Sequence, residues 1–369
     1  MSDRHIAARA EDALNDWLAE RLAGRGWTTR ILGYVGYGSP RFARVFGRVV
    51  LSRPGDPNHE WEQEHPDGRR GYWAYFTAPL AEVEVTITVG DAQVRAQTDR
   101  GGYFDVVLEG HGLSDGWQQA RYETDGVVQE VKLQIIGDDV RFGIVSDIDD
   151  TCLVTSLPRP MIAAWNSFVL VETARRAVPG MAALYRALRA REPDAPVIYL
   201  STGAWNNEPI LRRFLRRHGF PAGPMLLTDW GPTEELWFRS GQGHKRTALR
   251  RLASEFPQVS WLLVGDDGQH DPKIYEEFTL EQPDHVAGIA IRKLTATQRV
   301  LSHGHPLTHD DVTGRPVRVM VFEGPDGYAL HRQLRGAFQF ARAATRRQWE
   351  QVTPRIDATT LSSAGDRDA

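Results

Sequence analysis

Phe142-Gly-Ile-Val-Ser-Asp-Ile-Asp-Asp-Thr151 is the stretch from which the rest of the chain can be read. A short β-branched apolar run, bounded by polar residues, reads as a buried strand. It delivers Asp147, Asp149, Asp150 and Thr151 straight off its C-terminal end. In open α/β sheets, ligands bind outside that end, where strand order reverses. Carboxylates packed this closely repel one another, and burying them uncompensated is costly. A hard cation relieves the repulsion, and oxygen ligands point to Mg2+. A single aspartate here would read as a turn cap. Three of them with a threonine, after a buried strand, read as a site.

Moving outward, the apolar runs Val197–Leu200, Met225–Leu227, Trp261–Val264 and Val286–Ile291 alternate with stretches of helical period, including Met181–Arg191 and Pro209–His218. Continuous β-rich runs with helices between them require a parallel sheet covered on both faces. The predicted fold is therefore α/β, a doubly wound parallel sheet. Upstream, from about 29 to 140, the period falls to two in Ala43–Leu51, Val83–Val89, Tyr103–Leu108 and Val127–Ile136, with turn signals such as Gly90-Asp91 between them. Such spacing without helices predicts a small β-sandwich-like domain. The chain is thus divided into an N-terminal helix within 1–28, a β-rich domain 29–140, an α/β domain 141–325, a C-terminal helix in 326–353 and a small polar tail 354–369. Residues 53–68 are too polar to pack and read as an exposed loop.

The chain has 369 residues, enough for two domains. Forty-four Lys and Arg against 48 Asp and Glu give a net charge of −4, which excludes nucleic-acid binding through bulk positive charge. One cysteine excludes a disulfide framework or a cysteine-rich zinc site. No apolar run approaches the roughly 18–20 residues of a bilayer span. Acids stand where a secretory signal would be apolar, so the expected location is the cytoplasm, with peripheral membrane attachment if the substrate is a lipid.

A second acidic strand end repeats the first: Trp261-Leu-Leu-Val-Gly-Asp-Asp-Gly-Gln-His-Asp271 offers Asp266, Asp267 and Asp271. Two acidic strand ends of one parallel sheet can share a cation, as metal-assisted phosphoryl transfer requires. Val197–Gly203 places Ser201 and Thr202 at another strand end, where hydroxyls and the N–H of Gly203 can hold phosphoryl oxygens. Gly241-Gln-Gly-His-Lys-Arg-Thr247 precedes the predicted helix Thr247–Glu255, so Lys245 is expected near a helix N-terminus, an anion site. Trp205 is the aromatic expected to touch substrate. Met161–Val171, with Trp165 and Phe168, reads as the crossover helix rather than a lid. Arg212, Arg213, Arg216 and Arg217 read as a solvated helix face, and His303, His305 and His309 as loop histidines. Cys152 lacks the arginine a CxxxxxR phosphatase loop needs, since Pro158 holds that place, and reads as packing.

Together these motifs resemble the haloacid-dehalogenase (HAD) phosphatase superfamily. Asp147-Ile-Asp-Asp-Thr151 fits its DxDxT signature, Ser201 its strand-end hydroxyl, Lys245 its lysine, and Asp266 with Asp271 its GDx4D motif, all in the family's order. The wording SDIDDT, LSTGAWN, GHK and GDDGQHDP is similar to that of the actin-patch-type phosphatidate phosphatases and their bacterial relatives. The resemblance implies Asp147 as nucleophile, forming an aspartyl-phosphate, and Asp149 as general acid then base. It implies Mg2+ held by Asp147, the Asp149 carbonyl and Asp266, with Asp271 or Asp267 in support. Ser201 and Lys245 would bind the phosphoryl group, and phosphatidate at a membrane surface is the leading substrate. Two other readings stay open: a phosphatase of a soluble metabolite or phosphoprotein, and a non-catalytic adaptor built on the β-rich domain.

Overall fold

The computed structural model describes residues 21–22, 24–52, 77–154, 176–228, 234–268, 270–295 and 319–343. The predicted N-terminal helix before Arg21, the 53–68 loop, Met161–Val171, the three histidines at 303–309 and the polar tail lie outside the described residues.

Eight strands form the first sheet: β1 (Thr28–Ser39), β2 (Phe42–Ser52), β3 (Ala78–Pro79), β4 (Glu84–Val89), β5 (Ala92–Gln97), β6 (Tyr103–Glu109), β7 (Gly116–Thr124) and β8 (Val127–Ile135). Alternation sets their faces: in β4, Val85, Ile87 and Val89 are buried while the residues between them are not. The strand order is β3-β2-β1-β8-β7-β4-β5, with β6 also paired to β2. Because β5 and β6 come into contact, the sheet curls on itself into a half-barrel. Its enclosed core draws on both ends of that order, from Val45 and Phe104 to Ile87 and Tyr122. The packing is sandwich-like, although one continuous sheet provides it. Most pairs are antiparallel; β1 and β8 pair in parallel at Gly36–Gly38.

The second large sheet holds β9 (Phe142–Ser146), β12 (Val197–Ala204), β13 (Met225–Thr228), β14 (Ser260–Asp266), β15 (Val286–Arg292) and β16 (Val321–Gly324). Between them, β10 (Leu153–Val154) and β11 (Arg176–Ala177) form a small ribbon. All neighbouring pairs of the large sheet are parallel, in the order β13-β12-β9-β14-β15-β16. The chain builds outward from β9 on one side, then crosses to the other, so β9 is the switch point at which a ligand crevice opens. Helices α1 (Met181–Arg191), α2 (Glu208–Arg217), α3 (Glu234–Glu255), α4 (Asp271–Glu281) and α5 (Gly327–Ala343) complete this half. α1 packs with α5 and α3 with α4, as right-handed crossovers running in opposite directions require.

The two sheets meet over an aromatic seam. Tyr34, Tyr37 and Phe46 of the curled sheet belong to the core of the parallel sheet. Tyr34 stacks on Trp205 at 4.6 Å between ring centroids, and Tyr37 lies 5.9 Å from Phe256. One expectation is corrected here. The helix carrying Lys245 starts at Glu234 instead of Thr247, so Gly241 and Gly243 lie inside it and Lys245 is not at an N-terminus. Interior glycines cost a helix only about 1 kcal/mol each, which 22 residues packed on a sheet absorb.

Candidate active site

Local sequence explains how the strand ends are held. After β9, Ile148 turns into the core while the aspartates on either side of it face the crevice. Its carbonyl accepts the N–H groups of Cys152 and Leu153 at 2.8 and 3.1 Å, closing a tight turn. Asp150 takes φ +55 in that turn, a conformation aspartate tolerates better than most residues. The Asp147 N–H donates to the Val264 carbonyl (2.8 Å), which ties the ends of β9 and β14 together. At the end of β14 a glycine is obligatory: a Cβ on Gly265 would lie 2.6 Å from Oδ2 of Asp271. Asp271 opens α4, followed by Pro272, both suited to a helix start.

The carboxylates of Asp147, Asp266 and Asp271 each offer an oxygen within 4.8 Å of the others. All three are buried, at 3%, 0% and 1% exposure. Lys245, also buried, donates to Oδ1 of Asp147 at 2.7 Å and to Oδ1 of Asp271 at 2.5 Å. One ammonium therefore faces three carboxylates. Burial raises the Asp147 carboxyl well above its ordinary range; Lys245 opposes that, while Asp271 and Asp149 add to it. Asp266 is raised by burial and then by Asp271, Asp147 and Asp150. Burial alone would lower Lys245, but the two carboxylates it touches drive it upward, so it stays an ammonium. Oδ2 of Asp266 and Oδ2 of Asp271 are buried without hydrogen-bond partners. An all-oxygen donor set with orphaned oxygens and excess negative charge fits a hard divalent cation.

Ser201 ends the apolar run of β12, and its hydroxyl donates to Oδ2 of Asp149 (3.0 Å) while accepting the Gly203 N–H (2.9 Å). Oδ1 of Asp149 is buried and unpartnered. Asp147, Asp149, Ser201, Lys245, Asp266 and Asp271 thus converge on one crevice from three strands and two helices. Thr202 presents its carbonyl to the Thr228 hydroxyl (2.9 Å), which braces the loop between Ser201 and Trp205. Asp267 is not part of the cluster: its carboxylate accepts the Leu294 N–H (2.7 Å), because the next residue along β14 points the opposite way. Trp205 is stacked on Tyr34 and packed 5.5 Å from Phe46, so its ring builds the seam between the sheets. Cys152 is buried, and burial pushes its thiol up to about 12, consistent with packing. Sequence reasoning passed over Arg292, whose guanidinium donates to the Asp150 carbonyl (2.6 Å) and holds the turn after β9. A charged residue closing the apolar run Val286–Ile291 was the available signal.

Residues 142–293 match the family described as phosphatidate phosphatase APP1, catalytic domain. Among curated proteins, the chain is similar to phosphatidate phosphatase APP1 of Saccharomyces cerevisiae, with 25% identity over 151 residues, 41% of this chain and 25% of the yeast protein. An uncharacterized protein of Schizosaccharomyces pombe is 24% identical over 150 residues, 40% of this chain and 24% of that protein. The similarity therefore spans about a quarter of the length of these relatives. Among solved structures, a carbohydrate acetylesterase from Xanthomonas citri aligns with 75% of this chain and 73% of its own at 10% identity and a TM-score of 0.27, too remote to bear on fold or chemistry. The segment that carries the clustered aspartates, Ser201 and Lys245 is the one that matches the phosphatidate phosphatase APP1 catalytic-domain family.

Proposed function

We propose that the chain is a Mg2+-dependent phosphomonoesterase that works through an aspartyl-phosphate on Asp147, with phosphatidate as its substrate. The observation that carries this reading is the buried group of Asp147, Asp266 and Asp271 around Lys245, with orphaned oxygens beside the Ser201–Asp149 pair. Lys245 occupies Oδ1 of Asp147, which leaves Oδ2 as the attacking oxygen. In the first step that oxygen bonds to phosphorus and the P–O bond to the alcohol breaks. Asp149 gives its proton to the departing oxygen, which leaves as the alcohol. In the second, water attacks phosphorus, its proton passes to Asp149, and phosphate departs with Asp147 restored. The Ser201 hydroxyl orients Asp149, is itself held by the Gly203 N–H, and would turn to the phosphoryl oxygens once substrate enters.

Nucleophile and phosphoryl group are both anionic, so Lys245 must offset charge on their approach. Asp147, Asp266 and Asp271, with the Asp149 carbonyl, would hold Mg2+, which when bound supplies the remaining positive charge. Among the described residues no helix is long and apolar enough to cross a membrane, so a lipid substrate would be met at the membrane surface.

The test is phosphate release from phosphatidate in mixed micelles and from a panel of soluble phosphomonoesters, each with Mg2+ and with EDTA. Mg2+-dependent release from phosphatidate is expected. Metabolites turned over orders of magnitude faster would replace the lipid assignment, and no release from any phosphomonoester would end the enzyme reading.

A further inference from the structure

Between the curled and parallel sheets lies a cavity of about 640 Å3, within the size range of small-molecule sites. Tyr34 and Phe46 wall it from one sheet, and Trp205, Thr228, His244 and Arg251 from the other side. Two of its lining residues are tied to neighbours of the reaction crevice. Thr228 hydrogen-bonds the Thr202 and Gly203 carbonyls next to Ser201, and His244 precedes Lys245 on α3. His244 and Arg251 are seven residues apart, which puts both on one face of that helix, adjacent to the direction in which Lys245 reaches Asp147.

Arg251 stands apart from Arg246 and Arg250 of α3. Arg246 is paired with Glu277 and Arg250 with Glu281, each at 2.7 Å. Arg251 has no such ion pair among the described residues, and its Nε is buried without a hydrogen-bond partner. Arg251 as a whole is half-buried, but a guanidinium nitrogen buried without an acceptor is unfavourable unless a ligand supplies one. His244 does not compete for that acceptor as a cation: burial, with Arg251 and Lys245 nearby, lowers it to about 4.

We infer that this cavity receives the alcohol portion of the phosphomonoester, and that Arg251 donates to an ester carbonyl oxygen carried there. The inference rests on the phosphatase reading above and specifies its substrate side. Arg251 is six positions after Lys245, roughly 9 Å along the helix axis. An acceptor a few bonds beyond the phosphate, where an acylated glycerol carries its ester carbonyls, falls within reach of the arginine. The aromatic rings of Tyr34, Phe46 and Trp205 then meet the apolar part of the alcohol. In this arrangement the curled sheet supplies one wall of the substrate site.

Two measurements test this. The first compares kcat/KM for dioctanoyl phosphatidate with that for glycerol 3-phosphate, which lacks the esters, in wild type, Arg251→Met, Arg251→Lys and Arg250→Met. The ratio should fall about tenfold or more in Arg251→Met, mainly through KM, as expected for losing a hydrogen bond from a charged donor. Arg251→Lys should be intermediate because the charge remains without the planar fork. Arg250→Met should keep the wild-type ratio. The second is a calorimetric titration of the wild type and both Arg251 variants with dioctanoylglycerol, which reads the cavity without turnover. Weaker binding in Arg251→Met supports the inference. An unchanged ratio in that variant, or no binding of dioctanoylglycerol to the wild type, overturns it. If neither phosphomonoester is hydrolysed, the phosphatase reading fails, and the titration alone decides the cavity.

Discussion

In the curled sheet, several buried polar side chains close on backbone, and its unpartnered buried atoms among the described residues, Tyr122 Oη and Gln134 Oε1, are uncharged. His111 spans from the Ser39 carbonyl (2.9 Å) to the Leu113 N–H (3.0 Å), Thr98 from the Leu80 carbonyl to the Val83 N–H, and Thr124 reaches the Glu84 carbonyl. No carboxylate is buried there among the described residues. The C-terminal ends of the parallel sheet do the opposite, burying Asp147, Asp266 and Asp271 with one lysine and leaving oxygens unpartnered. Both regions have a buried hydrophobic core of their own, so lack of a core is not the cause. A buried carboxylate without a partner is costly, and a sequence that keeps several together is shaped for a ligand absent from the polypeptide. The difference separates residues that stabilise the fold from residues that the fold stabilises.

Asp147→Asn breaks that comparison most sharply. It removes the attacking oxygen while keeping size and a hydrogen-bonding group for Lys245. Turnover of phosphatidate should fall on the order of 10³-fold or more, with circular dichroism unchanged. An active Asp147→Asn enzyme would move the nucleophile elsewhere. Next in size is Trp205→Ala, which removes a buried ring stacked between the two sheets. It should cost about 3–5 kcal/mol in urea unfolding. If the sheets unfold as one unit, a single transition shifts; a second transition at the wild-type midpoint would show the curled sheet standing alone.

Much of this arrangement could be read in the residues themselves. A β-branched run ending in aspartates has few outcomes other than a strand end at a ligand crevice, and the structure brings Asp147, Asp266 and Asp271 together at such ends. Lys245 was found too, but for a partly wrong reason. Gly241 and Gly243 read as a boundary, whereas tertiary packing carries the helix through them. Asp267 could not be separated from Asp271, because only the strand's alternation and the Leu294 N–H decide where it points. The place of Trp205 in the seam was not legible, because its partners, Tyr34 and Phe46, lie more than 150 residues away in sequence. Long-range pairing of that kind leaves no local pattern.

The carboxylate cluster also predicts how stability responds to pH and metal. Asp147 and Asp266 bind protons more tightly in the folded protein than the roughly 3.9 of an unfolded aspartate. Their contribution is therefore fully present below that value and is lost as pH rises through the raised folded range. In EDTA, thermal stability should decline over that interval, and Asp266→Asn should flatten the decline and stabilise the metal-free protein by about 1–3 kcal/mol at neutral pH. Mg2+ at a hundred times its Kd should add about 2.7 kcal/mol to the wild type and nothing to Asp266→Asn. Differential scanning fluorimetry across pH, with EDTA or Mg2+, reads both. A wild type indifferent to Mg2+ would remove the cation from the site.

The smallest effect bears on how far the two regions act as one. The Tyr37 ring is buried in the seam, and its hydroxyl donates to Oε2 of Glu255 at 2.7 Å; Oε1 of Glu255 accepts from Arg44 at 3.3 Å. Tyr37→Phe removes the first bond and leaves the carboxylate paired with Arg44, so the cost should be only about 0.5–1.5 kcal/mol. Burial raises the phenol's pKa, so the hydroxyl stays a donor and this loss should not vary with pH between 5 and about 9. The informative quantity is the coupling with Trp205→Ala. Tyr37 and Trp205 both pack on Phe46, at 5.9 and 5.5 Å, so loss of the indole lets Phe46 shift and changes what Tyr37 contributes. A double-mutant cycle in urea should show non-additivity of about 0.5 kcal/mol or more. Simple addition would mean that the seam transmits nothing between its two ends, and that the curled sheet touches the catalytic half without being mechanically joined to it.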